Sequence, residues 1–238
     1  MRQSPLPKAS DLVVAEFRRR ILEEGLPVGS RLPSELELAE EFELGRVTIR
    51  EALRILERDG LVRTKRGPSG GSFVRHPDVD QVSQAVAMLL RIKGPTLGDF
   101  AEYRLELEPK IAELAAINAT DEEKAHLVKV ADKNVTVEST ADFHDELSSI
   151  CGNEFFHLAQ KSMHVALSLH FRKDHIADVH QEDTHRAHSK IAERIAAGDP
   201  EGASRAMLTH LNGYRAFIHA SGLENEPVLP NSLALPAL

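Results

Sequence analysis

Histidine is spread unevenly along this chain, and where it gathers it has the chemistry to hold a metal ion. Of 12 His, only His76 precedes residue 126. His188 and His210 each lie 11 residues from Asp199, in the turn Gly198-Asp199-Pro200. In an antiparallel helical hairpin, positions equidistant from the bend sit side by side, so these two imidazoles can face each other as ligands of one ion. His144, behind Asp142-Phe143 on a helical stretch that ends at Gly152-Asn153, is the third to stand out. A single His on a helix is more often a polar surface residue, and spacing alone leaves both readings open.

A second group of side chains has the chemistry to grip nucleic acid. From Leu44 to His76 there are eight Lys/Arg against three acids, in a chain whose formal net charge is −8. Such a basic strip against an acidic background is what a phosphate-binding face requires. Arg46, Thr48, Arg50 and Arg54 fall on one helical segment, and Lys65, Arg66, Gly67 and Gly70-Gly71 on a loop just after it. The plain alternatives are charges that only solvate a helix face, or a domain that docks protein instead of DNA.

The elements that must carry these residues are legible. Ser34 with Glu37 makes a capping box, and Leu36, Leu38, Ala39 and Phe42 give the helical stripe behind it. Gly45 serves as the N-cap of a second helix with an apolar face of Ile49, Ala52, Leu53 and Leu56. Arg46, Thr48, Arg50 and Arg54 are then left at its start and outer side, where a recognition helix meets bases and phosphates. Residues 61–64 and 72–75 read as two short strands around a glycine-rich cationic wing, Lys65 to Gly71. Upstream, Ser10 is expected to cap a first helix over 11–24.

Beyond His76-Pro77-Asp78, the expected hinge, the composition changes. Fifteen Lys/Arg face 25 Asp/Glu there, and the pattern is helical throughout, with breaks near Gly94-Pro95, 118–121, 134–140, Gly152-Asn153 and 198–200. The expected fold is therefore mainly α: a winged helix-turn-helix over 1–76, then an antiparallel bundle of six or seven helices over 77–222. Residues 223–238 hold three prolines without periodicity, and a disordered tail is expected. The single cysteine, Cys151, excludes an internal disulfide and reads as a small buried hydrophobe in a cytoplasmic protein. No apolar run approaches the ~20 residues of a membrane span, and residues 1–11 lack the apolar core of a signal peptide.

Residues 10–75 resemble the winged helix-turn-helix of the GntR superfamily of bacterial transcription regulators. The resemblance rests on Pro33-Ser34-Glu35, Leu38-Ala39, Arg46 to Leu53, Leu56-Glu57 and Asp59-Gly60-Leu61. It implies that Arg46, Thr48, Arg50, Arg66 and Gly67 touch DNA. Leu36, Gly45 and Val47 depart from the residues frequent in the family, which bears on the operator sequence rather than on the fold. Residues 97–216 resemble the FCD-type ligand-binding domain of the FadR branch, through Arg104 with Glu108-Pro109, Phe143-His144, Gly152-Asn153, His188, Gly198-Asp199 and His210-Leu211.

That second resemblance implies a divalent metal held by three His, here His144, His188 and His210, together with an Asp one turn before the first. Thr140 stands at that Asp position, and Asp142 is about 200° around the helix from His144, so a Zn²⁺ or Ni²⁺ site weakened by the missing carboxylate is expected. A small carboxylate effector is expected at Arg104, as a bidentate clamp, and at Asn153; the plain alternative for Arg104 is a surface ion pair with a nearby Glu. A hydrolase built on the three His would need a general base, and the chain has no HExxH while Asp145 and Glu146 read as ordinary helix-face acids. A nucleoid-type binder would be basic throughout. The expectation is an effector-controlled repressor, a homodimer on a pseudo-palindromic double-stranded DNA operator, with no membrane association.

Overall fold

Burial of one stripe and exposure of the rest builds each element of the N-terminal part. The computed structural model describes residues 8–67, 70–77, 79–132, 137–163, 168 and 181–229, with backbone only at 80, 81, 137–141 and 181. Contacts divide the chain into two units, Met1–Asp78 and Val79–Leu238. In the first unit, α1 (Ala9–Leu22), α2 (Glu35–Glu41) and α3 (Arg46–Arg58) pack around Phe17, Leu38, Ile49 and Leu56, all at most 1% exposed.

Helix α1 starts two residues before the expected position. Lys8 N donates to the Asp11 carboxylate at 3.1 Å, while Ser10 is buried rather than capping. At α2 the capping box forms as read: Ser34 N donates to Glu37 Oε2 at 2.7 Å, and Glu37 N donates to Ser34 Oγ at 3.3 Å. Strands β1 (Val62–Lys65) and β2 (Gly71–Val74) pair antiparallel, with Val62 opposite Val74 and Lys65 opposite Gly71. Residues 29–32 add a short rung on the other side of β2, where Leu32 N donates to Ser72 O at 2.8 Å and Val74 N to Ser30 O at 2.8 Å. The wing residues Pro68 and Ser69, the hinge residue Asp78 and most of the N-terminal arm lie outside the described residues.

The second unit holds seven helices among the described residues. These are α4 (Val79–Lys93), α5 (Leu97–Asn118), α6 (Asp121–Ala131), α7 (Val137–Ser149), α8 (Glu154–Ser162), α9 (Gln181–Ala196) and α10 (Pro200–Ala220). One apolar cluster gathers Ile111, Ala115, Leu127, Phe143, Leu147, Ile191 and Leu211; a second gathers Ala87, Leu97, Phe100, Ala101, Ile218, Val228 and Leu229. Helix α5 runs through both, and Arg104 and Glu108 fall between Ala101 of one cluster and Ile111 of the other. A polar layer is thus set between two apolar ones. The α9–α10 bend is held by Asp199, whose carboxylate accepts from Gly202 N at 2.8 Å with Pro200 in the first turn.

The expected disordered tail is corrected over 223–229. Leu97 N donates to Glu226 O, Gly98 N to Glu224 O, and Val228 N to Pro95 O, each at 2.9 Å, while Val228 and Leu229 are buried. The first amides of a helix have no partner within it, and here a returning strap supplies the acceptors. Residues 230–238 lie outside the described residues.

Candidate DNA-reading face and buried histidine cluster

The side of α3 opposite its apolar stripe carries the expected reading residues. Arg46, Arg50 and Arg54 are exposed, Thr48 is half-buried, and Val47 is 80% exposed. Gly45 contributes no side-chain acceptor to the first turn, which leaves the opening amides of α3 to meet an outside anion. Arg50 is oriented by a fork to Glu35, Nε to Oε1 at 3.0 Å and Nη2 to Oε2 at 2.6 Å. That hydrogen bond, with the charges of Arg46 and Arg54, holds the Glu35 carboxyl below its ordinary range despite partial desolvation. Glu35 therefore lies in the field of three cations, and an incoming anion would compete with it for Arg50.

At the wing, Arg66 and Gly67 are exposed at the tip, and Gly67 has a φ of 109°, a conformation that favours glycine. Gly70 N donates to Gly67 O at 2.8 Å, and a Cβ at Gly70 would collide with the carbonyl of Lys65. Arg31 steadies the base by donating from Nη2 to Gly70 O at 2.8 Å.

In the second unit, three histidines distant in sequence converge. The ring centroids of His144 and His188 are 5.1 Å apart, of His188 and His210 4.9 Å, and of His144 and His210 5.6 Å. One ring nitrogen from each lies within 4.8 Å of the others. His144 and His188 are buried and His210 is partly so; His188 is stacked on Phe143 at 4.1 Å between centroids. Helices α7, α9 and α10 each supply one imidazole, and the equidistance of His188 and His210 from the Asp199 bend is what brings α9 and α10 into step.

Arg104 is not at the surface. It is 1% exposed and donates from Nε to Glu108 Oε1 at 2.7 Å, from a helix turn before it on α5. Its Nη2 is 3.0 Å from His144 Nε2. Its guanidinium carbon stands 5.2 Å from the Tyr214 ring centroid and 5.9 Å from that of Phe100. Glu108, which sequence reasoning quoted only as part of a motif, turns out to join the site: its Oε2 is 2.7 Å from His144 Nδ1, an ion-pair distance though out of line for a straight hydrogen bond. Burial alone would raise the Glu108 carboxyl, but the Arg104 guanidinium, with the His144 ring on its other side, outweighs it and holds the group well below the ordinary carboxylate range. The i,i+4 spacing of Arg104 and Glu108 was the available signal.

The donor set fits a divalent metal. His188 Nε2 is a buried atom without a hydrogen-bond partner among the described residues, which a metal–nitrogen bond would satisfy. Desolvation, followed by neighbouring positive charge, lowers His188 well below the usual histidine value and brings His210 down to about 3. Both are thus neutral ligands at pH 7. Thr140 lies on α7 one turn before His144, its side chain outside the described residues, and Asp142 is exposed. Asn153, an expected effector contact, caps α8: its Oδ1 accepts from Phe155 N at 3.0 Å and Phe156 N at 3.4 Å.

The depressed imidazoles set a pH dependence. Below the ordinary value of 6.5 the unfolded chain takes up protons that the folded chain refuses, so stability is complete above that value and falls as pH drops through it. At pH 5 the loss from His210 should reach up to about 2 kcal/mol. Glu108, with its ordinary value of 4.5, contributes only to losses at lower pH. Urea unfolding at pH 7 and pH 5 should show a smaller drop for His210→Gln than for wild type, and equal drops would reject the buried neutral imidazole.

Comparison with known proteins bears on both units. Residues 9–74 match the family model described as bacterial regulatory proteins, gntR family, and residues 99–213 match that of the FCD domain. The HTH-type transcriptional repressor NanR of Enterobacter sp. (strain 638) is 34% identical over 243 residues, covering 93% of this chain and 90% of that protein. NanR of Citrobacter rodentium (strain ICC168) is 32% identical over 245 residues, covering 95% and 92%. Among solved structures, Streptococcus agalactiae GntR matches with a TM-score of 0.62 at 26% identity, over 87% of this chain and 99% of that one.

Proposed function

Because the chain belongs to the gntR family of bacterial regulatory proteins, as a helix-turn-helix transcriptional repressor with an FCD domain, we propose that it is a homodimeric, effector-released repressor of a pseudo-palindromic operator. It is a regulator rather than an enzyme. In this reading unit Met1–Asp78 reads DNA in the cytoplasm, and unit Val79–Leu238 dimerises and binds the effector. No helix among the described residues is long and apolar enough to cross a membrane.

The observation that carries the effector reading is the convergence of three imidazoles beside a buried Arg104, in a layer between two apolar clusters. A bound Zn²⁺ or Ni²⁺ would supply a fixed positive charge with positions open to a carboxylate oxygen. His144, His188 and His210 would hold it, and Arg104 would orient a small organic acid beside it. Support for the DNA half comes from the cations and open amides on α3 and the wing. Arg46, Thr48 and Arg50 reach into the major groove, and Arg66 and Gly67 meet the backbone beside it. Half-sites this short need two copies of the reader to be bound tightly and specifically.

Gel-shift titration at two salt concentrations tests the DNA half. Arg50→Ala should weaken operator binding by about 1–3 kcal/mol and relax specificity at one position, as for a guanine contact. Arg66→Ala should lower affinity on all sequences alike and reduce the salt slope. Undiminished operator binding by Arg50→Ala would sink the assignment of α3 as the reading helix.

A further inference from the structure

His144 is approached at both ring nitrogens by groups from α5: Glu108 Oε2 at 2.7 Å from Nδ1, and Arg104 Nη2 at 3.0 Å from Nε2. We propose that Arg104 is the internal competitor of a divalent cation at this cluster, holding the same His144 lone pair that a metal ion would need. This rests on the reading of the three imidazoles as a ligand site.

The argument starts from what each group can donate. A guanidinium has donors only, so a contact of 3.0 Å between Nη2 and Nε2 requires Nε2 to be the acceptor. The proton of a neutral His144 then lies on Nδ1, on the side of the Glu108 carboxylate. A carboxylate beside one ring nitrogen is also what aims the other nitrogen of a metal-binding histidine at its ion. The tautomer set by α5 is therefore the one suited to metal, yet its lone pair faces a cation already covalently part of the chain. Arg104 and a metal ion are mutually exclusive at this atom.

The anchoring of Arg104 makes the exchange feasible. Its Nε stays on Glu108 Oε1 at 2.7 Å, and only the Nη2 arm, which is also 3.4 Å from Glu108 Oε2, has to leave His144. A carboxylate that captures the Nη2 side of the guanidinium draws that arm away and releases Nε2. Metal and carboxylate then assist each other's binding through one side chain, and by linkage the assistance is equal in both directions. The effector class favoured by this arrangement is an organic acid that meets both the ion and Arg104.

The test uses full-length protein and Zn²⁺ alone, with affinity measured by competition against a chromogenic chelator. Arg104→Met should bind Zn²⁺ more tightly than wild type, by about tenfold or more, the size of effect that groups bordering a metal's ligands exert. Because that variant leaves Glu108 without its cation, the comparison is repeated between Glu108→Gln and the double variant Arg104→Met/Glu108→Gln, where the double should again bind more tightly. A zinc-loaded wild-type crystal structure should show Nη2 out of hydrogen-bond reach of His144 Nε2. Equal or weaker Zn²⁺ binding on loss of Arg104 in both comparisons overturns the competition, as does a zinc-loaded structure that keeps the Arg104–His144 contact. Zinc bound by none of these proteins removes the ligand-site reading itself, and the competition with it.

Discussion

Glu108→Ala should lower the stability of the second unit by about 3–5 kcal/mol, the largest effect expected of any single side chain discussed above. Arg104 and Glu108 have side chains only 2% exposed, so removing the carboxylate takes from a buried guanidinium the counter-charge it is forked to. At that burial solvent is a poor substitute for the lost carboxylate, so part of the cation's desolvation cost is no longer offset. The same chain provides a control. Arg205 pairs with Glu201 at the same four-residue spacing, at 3.1 Å, but with side chains 68% and 86% exposed. Glu201→Ala should leave the unfolding midpoint nearly unchanged, because solvent already screens that pair. Denaturant unfolding of both variants separates burial from pairing as the source of the effect. Equal midpoints for Glu108→Ala and Glu201→Ala would reject the buried ion pair.

The isolated first unit should lose about 10²–10⁴-fold in operator affinity relative to the full chain, since in the proposed dimer two tethered readers convert the second half-site into an intramolecular event. Unit Met1–Asp78 has its own apolar cluster, from Val13 to Val74, and so has the means to fold alone. Its residual binding should be steeply salt-dependent, as expected of Arg and Lys on phosphates. Fluorescence anisotropy with a full operator and with a single half-site would measure the difference. A fragment that binds the full operator as tightly as the whole chain would show that the second unit contributes no dimer contacts to DNA binding.

What could be read from the sequence follows from how local each signal is. The capping box at Ser34 and the stripe from Ile49 to Leu56 are encoded within a few turns, so α2 and α3 were legible with their buried and exposed sides. His188 and His210 were legible because one bend makes equal spacing equivalent to adjacency. Glu108 was legible only as an i,i+4 neighbour of Arg104; it meets His144 from 36 positions away, and nothing in either segment marks that partner. Arg104 could be read as half of an ion pair, but whether that pair is wet or dry depends on α10 and its Tyr214, which only packing decides. Asn153 illustrates a different limit: its role as the N-cap of α8 follows from where that helix starts, which the Gly152-Asn153 pair marks without saying what else the side chain meets. The strap at 223–229 escaped because it pairs with the exposed amides of a helix start, a pattern with no hydrophobic period of its own.

That strap has a consequence for observing the protein at work. The amides of Leu97 and Gly98 are protected from solvent not by α5 but by carbonyls of residues 226 and 224, so their hydrogen exchange reports a different opening event from the rest of the helix. Arg104 lies two turns further along the same helix. If an anion taken up at Arg104 shifts α5 along its axis, those two amides are displaced from their acceptors before any intrahelical bond is strained. Residues 224 and 226 would in that event act as a strain gauge clamped to the helix that holds the buried cation.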